Sequence, residues 1–120
     1  MSERELLELA ARAAEMSGHW DEKDDGWFVP RIGGGWASLI RWNPLESSSQ
    51  AFELMVKLNL FVFHGWTHAE GVPLANVVVD NAEQTVPSGE IKGDDPYAAT
   101  RRAIVRAAAE IGKKMEKANV

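Results

Sequence analysis

The chain has 120 residues, 45% of them hydrophobic, with 18 acidic against 13 basic side chains for a net charge of −5, and no cysteine. A chain of this size supports one core and therefore a single domain over 1–120, which excludes two catalytic domains. The missing cysteines exclude disulfide frameworks, thiolate metal sites, iron–sulfur ligation and cysteine nucleophiles.

Ser2 followed by Glu5 has the form of a capping box and predicts a first helix over residues 3–16. Leu6, Leu9, Ala13 and Met16 recur at steps of three and four as its apolar stripe, and Gly18 is suited to end it. Residues 19–26 read as a polar, acidic loop. They open onto Trp27–Ile32, three glycines at 33–35, and Trp36–Trp42, a pattern that predicts a β-hairpin. Trp36, Ser38, Ile40 and Trp42 fall on one face of its second strand. Pro30 has no N–H to give to a ladder, which places the first strand at an edge.

Asn43-Pro44 breaks the strand, and the serines at 47–49 offer an N-cap for a helix over 48–58 that turns Ala51, Leu54, Met55 and Leu58 inward. Leu60–Trp66 and Ala75–Asp80 read as a second strand pair. Residues 81–95 read as a long connection with room for one short edge strand. Asp95-Pro96 then marks a helix start, Asp as N-cap and Pro at the first helical position, and the helix runs to about Lys117 with Ile104, Ala108, Ile111 and Met115 inward. The resulting order, α-β-β-α-β-β-α, describes an α+β domain with a mainly antiparallel sheet of about four strands covered by helices.

Two stretches carry a family resemblance. One is Trp42-Asn43-Pro44-Leu45 with Ala51-Phe52 and Val56-Lys57-Leu58; the other is the run from Asp94-Asp95-Pro96-Tyr97 through Glu110-Ile111-Gly112. Together they cover about a third of the chain, and they resemble the phage ABA-sandwich domain, a family of small bacteriophage and prophage proteins. The resemblance implies a three-layer α-β-α sandwich and a phage or prophage accessory role in a bacterial cytoplasm. It implies no chemistry, and it does not extend over residues 59–93.

Met1-Ser2-Glu3 leads directly into the first helix without a secretory leader, and no apolar run approaches the ~18 residues of a membrane span, so a cytoplasmic, membrane-free protein is expected. Charge is unevenly spread: residues 96–120 sum to +4 and residues 1–95 to −9. Arg102, Arg106, Lys113 and Lys117 share one face of the last helix and can contact phosphates, although the overall negative charge opposes nucleic acid and basic residues late in a helix also complement its dipole.

Three other constellations bear on chemistry. His64 and His68, with Trp66 between them, fall on one strand face and can begin a metal site with Glu70, Asp21 or His19, but the spacing fixes no third ligand. Asp21-Glu22-Lys23-Asp24-Asp25-Gly26 fails as a calcium loop, because the third position is Lys23 and the twelfth is Ile32. The triple glycine lacks both the dinucleotide spacing and a following helix, which leaves it as a hairpin turn. No nucleophile motif or spaced acid/base pair occurs, so no catalytic residue, metal or cofactor is assigned.

Tryptophan is the remaining excess, five residues against a single tyrosine. Large aromatics anchor small cores, and exposed ones mark binding surfaces. Four of the five lie between residues 20 and 42 beside the acidic loop. The leading expectation is therefore a non-enzymatic protein-binding domain using Trp20, Trp27, Trp36, Trp42 and Trp66 with Asp21, Asp24 and Asp25. The alternative is a nucleic-acid-associated module built on the basic helix, and the third is a metal-dependent enzyme using His64 and His68.

Overall fold

The computed structural model describes residues 1–30, 39–66, 73–79, 88–91 and 95–118. Helix α1 (Glu3–Ala13) starts where the cap predicts, with Ser2 Oγ accepting the Glu5 N–H at 3.2 Å. It ends three residues earlier than the periodicity suggests. Glu15 takes the left-handed conformation, φ 55°, and the Met16 and Glu15 N–H groups close back on Ala11 O at 2.9 Å and Arg12 O at 3.0 Å. This pair of bonds is the Schellman closure, so the residue past the helix is Glu15 and not Gly18. Gly18 has another use, because a Cβ there would fall 2.5 Å from Trp27 Nε1.

Strands β1 (His19–Asp21), β2 (Gly26–Pro30) and β3 (Leu39–Arg41) form an antiparallel sheet in the order β1-β2-β3. β1 was expected as loop: three residues are too few to alternate visibly. Its pairing makes β2 the central strand, which corrects the edge position inferred from Pro30. The proline is tolerated because β1 covers only Gly26 to Phe28, leaving Pro30 paired on one side alone, with Leu39. Trp36 and Ser38 lie outside the described residues.

The chain then turns a wired corner. Asn43 is buried: its Oδ1 accepts the Leu45 N–H at 3.0 Å, its N–H donates to Gln50 Oε1 at 2.6 Å, and Gln50 Nε2 donates to Arg41 O at 3.1 Å. Helix α2 (Ser48–Lys57) follows, capped by Ser47 Oγ accepting the Gln50 N–H at 3.3 Å. Asn59, at φ 54°, returns the chain into β4 (Leu60–Trp66). β4 pairs antiparallel with β5 (Pro73–Val79) along its full length, and β5 pairs with β6 (Ser88–Ile91), completing a second sheet in the order β4-β5-β6.

Helix α3 (Pro96–Ala118) begins as Asp95-Pro96 predicts, with Asp95 Oδ1 accepting the Ala98 N–H at 3.0 Å. It packs against α1, α2, β5 and β6. The contact with α1 is made close by small side chains. Ala10, Ala11 and Ala13 on α1 and Ala103, Ala107, Ala108 and Ala109 on α3 are all buried, and a Cβ at Gly112 would collide with the Leu9 carbonyl. Leu6, Leu7, Val29, Trp42, Leu45, Leu54, Leu60, Ile104 and Val105 fill the rest of one continuous core.

The fold is thus α+β with three helices and antiparallel sheet. It contains six strands among the described residues, in two open three-stranded sheets, where about four strands in one sheet were expected. The addition that was not expected is β1; β6 is the short edge strand for which residues 81–95 left room.

Candidate functional site

The tryptophans of the first sheet are committed inward. Trp42 is 4% exposed and belongs to the core. Trp27 is half-buried, packs against that core and encloses its indole N–H with no acceptor among the described residues. Trp20, also half-buried and packed on the core, lies under the Arg4 guanidinium, 5.4 Å from ring centroid to Cζ. Trp36 and the side chain of Trp66 lie outside the described residues.

The acidic turn between β1 and β2 is largely occupied with its own geometry. Asp21 Oδ1 accepts the Lys23 and Asp24 N–H groups at 2.9 and 3.2 Å, an Asx turn that spends its carboxylate on backbone. Asp25 sits at φ 49°, and its carbonyl accepts from Arg41 Nη2 at 3.2 Å. Glu22 reaches Arg4 Nη1 at 2.7 Å, while Arg4 Nε meets Glu8 at 3.3 Å. Those carboxylates, Glu22 first, push the Arg4 pKa further above its ordinary value. The side chains of Asp24 and Asp25 are exposed at the tip.

Along α3, Arg102, Arg106 and Lys113 are exposed on the face expected of them, and Lys117 falls within the helix with its side chain outside the described residues. His64 lies in β4, its side chain outside the described residues, as are His68 and Glu70 altogether. Among the described residues no group of three or more His, Cys, Asp or Glu side chains could hold a metal ion. None of the described helices is long and apolar enough to cross a membrane.

A concave apolar surface lies between α2, β4 and the start of α3. Ala51 and Met55 of α2, Val62 of β4 and Ile104 of α3 line a groove of about 430 Å³. Phe52 and Tyr97 also border it and are 61% and 75% exposed. Val56, one helical turn beyond Phe52, is 56% exposed. Arg101 is the single charged side chain on this lining among the described residues. Its Nε donates to Leu45 O at 2.9 Å and its Nη1 to Ser48 Oγ at 3.1 Å, so the corner after Trp42 and the first turn of α2 together hold it in place.

A second hollow of about 510 Å³ lies between the end of α1, the first sheet and α2, with Trp42 in its wall. Its lining includes Pro30 of β2 and Ile40 of β3.

Sequence reasoning missed the groove between α2 and α3. The signal was present: Phe52 and Val56 are apolar at i and i+4 but fall off the inward stripe of α2, and Tyr97 stands in the outer first turn of α3. The tryptophan excess drew attention to indoles, whereas the exposed rings at the groove are a phenylalanine and a tyrosine. Comparison with family models, with curated proteins and with solved structures found no match.

Proposed function

We propose that the domain is a non-catalytic protein-binding module whose contact surface is the groove between α2, β4 and the start of α3. One observation carries this reading: two large aromatic side chains, Phe52 and Tyr97, stand mostly in solvent around an apolar hollow large enough for a bulky side chain. Leaving such groups exposed has no benefit for folding, and clustered rings over a concavity are the usual anchors of protein recognition. The resemblance to the phage ABA-sandwich family supports a phage or prophage accessory role in a bacterial cytoplasm and a three-layer architecture. The acidic loop of the Trp-rich hairpin, with Asp24 and Asp25 exposed, is kept as a second contact region of the same protein-binding role.

Selection of a displayed random-peptide library on the folded domain, with Phe52→Asp as the counter-target, tests the groove. Peptides that bind the native domain and lose at least tenfold in affinity on the variant are expected. A selection that yields only binders indifferent to Phe52→Asp and Tyr97→Ser removes the groove from the proposal.

The exposed row of Arg102, Arg106 and Lys113 favours a second reading, contact with nucleic acid. A titration with duplex and single-stranded DNA at low salt decides it: no binding there leaves nothing for specificity to build on.

A further inference from the structure

Charge in this molecule is paired unevenly. Arg4, on the open surface, has two carboxylates within 3.3 Å. Arg101, half-buried at the groove, has none: both of its hydrogen bonds go to neutral acceptors, Leu45 O and Ser48 Oγ, and among the described residues no carboxylate lies within 4 Å. A guanidinium beside apolar surface gains more from a counter-ion than one in open water, because screening is weaker there. The fixed contacts also mean that little side-chain freedom remains to be lost when an anion arrives. The start of α3 is no rival anion site, since Asp95 already caps it.

We propose that the groove recognises a peptide segment in which a bulky apolar side chain stands next to a carboxylate. The apolar side chain enters the hollow lined by Met55, Val62 and Ile104 between Phe52 and Tyr97, and the carboxylate meets Arg101 through the guanidinium nitrogen, Nη2, that has no partner among the described residues. This rests on the groove being the binding surface and adds the chemistry of its occupant.

N-acetyl-Leu-Phe with a free C-terminal carboxylate, and the same dipeptide as its C-terminal amide, are the probes. Binding is followed through backbone amide shifts of the ¹⁵N-labelled full chain, up to about 20 mM, where a ligand of millimolar affinity saturates. The acid should shift residues 48–55 and 97–104 and bind about three- to fivefold more tightly than the amide, the factor that a partly exposed ion pair supplies. Arg101→Gln should erase that preference and Arg101→Lys restore most of it. The unchanged spectrum of α1 reports that each variant remains folded.

Equal binding of acid and amide, or an acid preference that survives Arg101→Gln, overturns the carboxylate recognition while leaving an apolar groove that still binds. Absence of any shift in the two segments with either probe also overturns it. The groove reading itself falls separately, when the library selection returns no peptide that depends on Phe52.

Discussion

Two regions of α3 meet their neighbours in opposite ways. Around Gly112 the helix lies so close to α1 that not even a methyl group fits against the Leu9 carbonyl, and the surrounding residues are mostly alanines. At its first turns α3 faces α2 with Tyr97, Arg101 and Ile104, and a hollow remains between them. Small residues let backbones approach until no space is left, whereas longer side chains hold the helices apart and leave a solvent-open hollow between them. The first region therefore holds the fold together, and the second leaves apolar side chains open to solvent.

Substitutions that separate these roles differ widely in expected size. Trp42→Ala, in the sealed part of the core, should cost about 4 kcal/mol of unfolding free energy by denaturant titration. A loss below about 1 kcal/mol would place Trp42 outside the core. Gly112→Ala should cost about 2–3 kcal/mol, because the Leu9 carbonyl must move aside; a neutral result would mean that the helices separate easily. Ser47→Ala removes the α2 cap and should cost about 1 kcal/mol. A double-mutant cycle on Arg4 and Glu22 should give a coupling below about 1 kcal/mol that fades in molar salt, since both side chains are exposed. Phe52→Ser should change stability least, by no more than about 0.5 kcal/mol, while weakening selected peptides at least tenfold. If it destabilises the fold as Trp42→Ala does, the contrast between the two regions is lost.

Local signals with one dominant physical cause were readable in the sequence. Ser2 and Asp95 satisfy free helix N–H groups, and Pro96 cannot continue a preceding helix, so the starts of α1 and α3 fall where expected. Positions set by tertiary pairing were not. The end of α1 depends on Glu15 accepting a left-handed backbone, which nothing in its side chain announces. The central place of β2 depends on three residues of β1 finding it, against the hint from Pro30. The site was harder still, because tryptophan counts do not distinguish an indole inside from one outside. Trp42 and Phe52 are both large and aromatic, ten residues apart, yet one is sealed and the other stands in water.

The seam between α1 and α3 also sets a schedule for synthesis. Leu9 and Gly112 are roughly a hundred residues apart, so α1 leaves the ribosome long before the helix that covers it. At ordinary translation rates that interval is about 5–20 s, during which Leu6, Leu7 and Ala10 lack their permanent neighbour. A nascent chain arrested before Gly112 should therefore stay open to protease along its whole length, and become resistant only once the last helix has emerged.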